Sequence, residues 1–131
     1  MESQGRLQTE RVGYTVTGGQ PPVVWHTART DPPTEEDFLS HRARGLPRRG
    51  ATIERWEGVS SFDNPAIAAD MARRYGHGSY LARLALDPGG PIRWAKTGGE
   101  AHYTLWGTPA ELLACVVVVV PPEMMAEGEG P

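Results

Sequence analysis

Glu57-Gly58-Val59-Ser60-Ser61-Phe62-Asp63-Asn64-Pro65 reads as a strand that runs into a helix. Glu57 to Phe62 has the composition of a short strand. Asp63 and Asn64 turn the chain, and the Asn64 side chain is suited to accept from an orphan backbone N–H of the next helix. Pro65 then falls at the first helical position, where its missing N–H costs nothing. Ile67, Ala68, Met71, Ala72 and Tyr75 recur at helical spacing as one apolar stripe. Gly76 and Gly78 end the helix. From Ser79 to Leu86 the chain alternates, with Tyr80, Ala82, Leu84 and Leu86 on one face of a half-buried strand. Strand, helix and strand form one unit, with Ser60 and Ser61 near the exit of its first strand.

Working outward toward the N-terminus, Val23 to Ala28 is a strand, apolar at its start and polar at its exit. Thr30-Asp31-Pro32-Pro33 breaks it. Thr34 caps an expected helix that has Glu35, Glu36 and Asp37 in its first turn, where acids suit the dipole, and that ends near Arg44-Gly45. Gly45 to Thr52 is a loop by composition. Arg42, Arg44, Arg48, Arg49 and Arg55 form a basic cluster, read either as a solvated face or as a site for a pyrophosphate or RNA backbone. Toward the C-terminus, Pro91 to Lys96 and His102 to Trp106 are short strands. Pro109 opens a helical turn through Leu113, and Cys115 to Val120 is a buried strand ended by Pro121-Pro122. The pattern predicts an α+β protein: a single small domain, residues 23–121, built on a bent, mostly antiparallel sheet with two or three helices. Residues 1–22 read as a flexible leader and 122–131 as a disordered acidic tail.

The chain has 131 residues and a net charge of −3, which fits one domain and argues against a protein devoted to nucleic acid. Of 13 basic residues only Lys96 is lysine, a bias expected of a GC-rich genome. The lone cysteine, Cys115, allows no intrachain disulfide, and the polar N-terminus has no secretory pattern, so the expected location is cytoplasmic. The apolar run Leu112 to Val120 is too short to span a bilayer, so no membrane association is expected. His26, His41, His77 and His102 lack metal-ligand spacing, so no metal is expected. Gly58-Val59-Ser60-Ser61-Phe62 lacks the second glycine of a nucleophile elbow, and no Walker or dinucleotide-fold glycine motif is present.

Three places could carry chemistry. His26-Thr27-Ala28-Arg29 is either a strand end meeting solvent or a polar cluster for a ribose or phosphate. Ser60-Ser61-Phe62 is either a helix cap or a ligand contact. Glu100-Ala101-His102-Tyr103-Thr104-Leu105-Trp106-Gly107, with Glu111 beyond it, is either a His-Tyr pair satisfied by backbone or part of a site.

The order of these places resembles that of the ADP-ribosyltransferase fold. Members show an Arg or His on an early strand, a Ser or Tyr motif on a later one, and an acidic or polar residue before the last strands. The resemblance implies a split, mostly antiparallel sheet and NAD as substrate, bound in a cleft. It implies that His26 touches the nicotinamide ribose, that Ser61 lies on the nicotinamide side, and that Glu100 or Glu111 supplies the carboxylate. Thr27, Arg29, Ser60, Phe62, His102, Tyr103 and Trp106 would complete the binding site, with Tyr103 or Trp106 stacking on the nicotinamide. The implied activity is cleavage of the nicotinamide–ribose bond and transfer to an intracellular acceptor or water, as in a small toxin or modifier. Residues 23 to 121 are also similar to short proteins of GC-rich bacteria that share the Thr-Asp-Pro-Pro-Thr, Gly-Val-Ser and Tyr-Thr-Leu-Trp-Gly pieces, a likeness that implies no activity. Two other readings stand beside the transferase. One is a non-catalytic nucleotide- or protein-binding module of a larger bacterial system. The other is a metal-independent ribonuclease using His26, His102 and a glutamate. Either a homo-oligomer or a partner protein is compatible with the apolar final strand.

Overall fold

A computed structural model describes residues 21–121 except His77 and Glu100. The expected leader, apart from Pro21 and Pro22, and the whole of the expected tail therefore lie outside the described residues. Six strands form one sheet: β1 (Val23–Ala28), β2 (Val59–Phe62), β3 (Tyr80–Ala85), β4 (Arg93–Lys96), β5 (His102–Trp106) and β6 (Val116–Val120). Their spatial order is β4-β5-β2-β1-β3-β6, and every neighbouring pair is antiparallel. Three helices, α1 (Ile53–Trp56), α2 (Pro65–Tyr75) and α3 (Pro109–Leu113), and a 3-10 turn at Glu35–Phe38 complete the domain. The protein is an α+β domain on an antiparallel sheet.

The sheet has a seam. Six residue pairs join β1 to β3 and four join β2 to β5, but only Trp25 and Phe62 pair β1 with β2. The sheet thus consists of two three-stranded halves, β4-β5-β2 and β1-β3-β6, held at one backbone point.

Both faces are covered, because alternation sends side chains to opposite sides. On one face Val24, Val59, Leu84, Trp94 and Leu105 pack with Phe38, Ile92 and Leu112. On the other, Trp25, Leu81 and Phe62 meet Ala68 and Ala69 of α2. Each fully buried Leu or Phe contributes about 1.5–3 kcal/mol of transfer free energy. Gly58 leads into β2 where there is no room for a side chain. A Cβ there would sit 2.3 Å from Thr104 Cγ2 and 3.0 Å from the Leu105 carbonyl oxygen. Gly58→Ala is expected to lower the unfolding free energy by about 1–3 kcal/mol through overpacking, read from urea titration.

The elements from Asn64 onward largely match their expected positions. Asn64 Oδ1 accepts from the backbone N–H groups of Ala66 and Ile67, and Gly76 closes α2 in the left-handed conformation at φ 64°. The stripe of α2 differs in detail. Ala68, Ala69 and Ala72 are the buried residues, while Ile67 and Tyr75 are exposed, because the close approach of the helix to the sheet admits only small side chains. β3 is buried on both faces, Leu81 on one and Ala82 and Leu84 on the other, since it lies between β1 and β6.

Three expectations need correction. The helix after Thr34 is a single 3-10 turn. Asp37 folds back so that its carboxylate accepts from the N–H groups of Thr34 (2.9 Å) and Arg29 (3.0 Å), and Leu39 is already extended. β2 begins at Val59, because Thr52 caps α1 and Glu57 ends it. The five-valine strand is an edge among the described strands, with Val117 and Val118 exposed.

Candidate functional site

The seam between β1 and β2 opens into a cleft of about 550 Å³. His26 and Thr27 line it from β1, Ser60 and Phe62 from β2, and Met71 and Tyr75 from the end of α2. Arg29, Arg44 and Arg55 add three guanidinium groups. Among the described lining residues Asp37 is the carboxylate, and its two oxygens already accept backbone N–H groups. The cleft therefore favours an anion.

The arginine-rich loop is held in place by its own contacts. Arg44 Nη2 donates to the Glu36 carbonyl (2.8 Å) and the Trp56 indole donates to the Leu46 carbonyl (2.9 Å). Arg42 pairs with Glu57 and lies over the Trp56 ring. No carboxylate among the described residues pairs with Arg29 or Arg55.

His26 acts as a rivet across the seam. Its Nδ1 faces the Ser60 carbonyl at 2.6 Å and its Nε2 the Asp37 carbonyl at 2.5 Å, while its ring stacks on Phe38 at 5.0 Å. Where the ladder between β1 and β2 fails, a side chain takes up a strand carbonyl. A neutral imidazole donates to only one of two carbonyls. Burial pushes the His26 pKa below the ordinary histidine value, against the pull of the two carbonyls.

His102 is arranged differently. The hairpin between β4 and β5 turns at Thr97-Gly98-Gly99, with Gly98 left-handed at φ 67°. His102 Nδ1 lies 2.9 Å from both the Thr97 carbonyl and Thr97 Oγ1, and the latter hydroxyl is 2.7 Å from Thr104 Oγ1. A carbonyl only accepts, so Nδ1 carries the proton of the neutral ring and Nε2 presents a lone pair. Ser60 Oγ, on an exposed residue, is 3.0 Å from that Nε2, and the Phe62 ring meets the imidazole edge-on at 5.3 Å. Burial, then the Arg55 charge, holds the His102 pKa below its ordinary value despite the Thr97 carbonyl.

Both histidines thus bind their protons more weakly folded than unfolded. Their contribution to stability is complete above about pH 6.5, the unfolded histidine value, and is lost as the pH falls through the lower folded values. Urea midpoints are expected to fall between pH 7.5 and 5, with a shallower fall in His102→Gln.

The structure sorts the expected site residues. His26, Thr27, Arg29, Ser60 and Phe62 meet at the cleft, and His102 joins them through Ser60. Ser61 does not: it is fully buried on the opposite face of β2, and its hydroxyl donates to the Tyr103 carbonyl. Tyr103 packs against the core below Lys96. Trp106 is buried and its indole donates to the Glu54 carbonyl at 2.8 Å. Glu111 caps α3, its carboxylate accepting from the Thr108 N–H at 2.8 Å. Glu100 lies outside the described residues. Arg44, Arg55 and Thr97 join the site beyond the expected residues; the arginine cluster is the sequence signal for the first two, and Thr97 has none.

Among the described residues no group of His, Cys, Asp and Glu could hold a metal ion, and no helix is long and apolar enough to cross a membrane. Comparison of the chain with protein-family models, curated proteins and solved structures gave no match.

Proposed function

We propose that the cleft binds NAD and that the protein is an ADP-ribosyltransferase-like enzyme, cleaving the nicotinamide–ribose bond and passing ADP-ribose to an acceptor or water. The observation that carries this reading is the convergence of β1, β2 and β5 on one basic cleft at a split in the sheet. His26 and Ser60 stand for the first two of the three places in the family resemblance, and His102 of β5 reaches the cleft through Ser60. The arginines suit a pyrophosphate, since guanidinium forks match paired phosphate oxygens. The Ser60–His102 pair suits a ribose hydroxyl, and Phe62 offers an aromatic face. Departure of nicotinamide leaves a cationic sugar, which needs a carboxylate. Glu111 is committed to its helix cap, so the proposal gives that role to Glu100.

One observation favours a second reading, binding without turnover. The polar groups of His26, Ser61 and Glu111 all serve the fold. The same geometry takes the acid–base partner away from a ribonuclease built on His26.

The test is NAD binding by calorimetry together with nicotinamide release. Arg55→Gln is expected to weaken binding about 10- to 100-fold, the loss of one charge-assisted hydrogen bond. Binding with release supports the enzyme. Binding without release selects the second reading, and no binding at millimolar NAD removes both.

A further inference from the structure

We propose that Ser60 is a nucleophile activated by His102, able to accept an acyl group from an ester that carries a negative charge. This goes beyond the NAD reading and does not depend on it. Three roles that covalent catalysis needs are present in one chain of contacts. Ser60 Oγ is exposed at the cleft and 3.0 Å from His102 Nε2. The Thr97 carbonyl, 2.9 Å from Nδ1, fixes the tautomer that leaves Nε2 free to take a proton. Phe62 and the Thr97 hydroxyl hold the ring in that orientation. The two cleft histidines are distinguished by the same logic. Both His26 nitrogens are turned to carbonyls, so its lone pair meets no hydroxyl, whereas the His102 lone pair has a hydroxyl beside it.

The charge preference comes from Arg55. A Cβ built on Gly98 would lie 3.3 Å from Arg55 Nη2 and 3.5 Å from His102 Nδ1, so the guanidinium stands beside the imidazole with only a glycine between them. From the wall of the same cleft it can meet an anionic substituent of the substrate.

The step balances with an ester and water alone. Ser60 Oγ bonds to the carbonyl carbon while its proton passes to His102 Nε2. The ester C–O bond breaks, and the leaving alcohol takes that proton. Water then attacks the acyl-serine with His102 again as base, which releases the acid and restores the hydroxyl.

A fluorophosphonate probe and an activated aryl ester test this on the full chain without NAD. Stoichiometric probe adduct on the peptide bearing Ser60, mapped by mass spectrometry, is expected. Ser60→Ala is expected to abolish the adduct. His102→Gln is expected to slow labelling and ester cleavage at least 100-fold, the usual contribution of a positioned base, in protein whose circular dichroism shows it folded. No adduct on folded wild-type protein, an adduct on another residue, or an unchanged rate in His102→Gln would overturn the proposal. None of these outcomes bears on NAD binding, which is measured separately.

Discussion

Replacement of His26 by alanine is expected to lower the unfolding free energy by about 3–5 kcal/mol, combining an orphaned carbonyl with a cavity beside Phe38. The ring contacts the Asp37 carbonyl and the Ser60 carbonyl and, when neutral, donates to one of them. The first ties the 3-10 turn to β1. The second ties β2 to β1 where the backbone pairing has ended at Trp25 and Phe62. Neither carbonyl gains a protein partner when the ring is removed, although water can reach the more open Ser60 side. Urea titration with circular dichroism measures the change. An unaltered midpoint would mean that the ring's bonds to the fold count for little and that its place is with a ligand. The distinction matters for interpreting activity, because loss of function in His26→Ala would report loss of the cleft and not of a catalytic group. Ser60 and Arg55 are the cleaner positions at which to probe chemistry.

Phe38→Ala is expected to cost about 3–5 kcal/mol, as deletion of a buried aromatic ring does when the site cannot collapse. Phe38 is 1% exposed. It sits in the core cluster with Leu84, Leu105 and Leu112, and the turn that bears it packs on α3. Collapse is opposed by Asp37, whose carboxylate anchors the turn to Thr34 and Arg29. Because His26 and Phe38 stack, the double variant is expected to lose less than the sum of the two, by about 0.5–3 kcal/mol. A strictly additive pair would show that the stack contributes nothing and that each residue acts through separate partners.

Much of the sheet is legible because its strands are bounded by punctuation. Asn64-Pro65 and Gly76 fix α2, and Pro109 after Thr108 fixes α3. What escapes a reading of the chain has physical causes. The helix Ile53–Trp56 is four residues long, too short for any period, and its only signal is Thr52 as a cap. The helix foreseen after Thr34 has a good start, but Asp37 satisfies backbone donors in a way that ends it after one turn. The choice between Ser60 and Ser61 rests on which face of a four-residue strand meets the cleft. Either phase fits the alternation of Val59 and Phe62 until β5 is laid beside β2. The role of His26 rests on carbonyls 11 and 34 residues away, and carbonyls leave no mark in a sequence.

The thin join between the two halves of the sheet invites the thought that each is a separable piece, but the path of the chain forbids it. β1 belongs to one half, β2 to the other, β3 to the first, β4 and β5 to the second, and β6 again to the first. The polypeptide is laced back and forth across its weakest line. Neither half exists as a continuous fragment that could be expressed alone, and a protease nick in any one connection leaves the others to hold the pieces together. Amide hydrogens on both sides are accordingly expected to exchange with similar free energies, since neither side can come apart while the other stays whole.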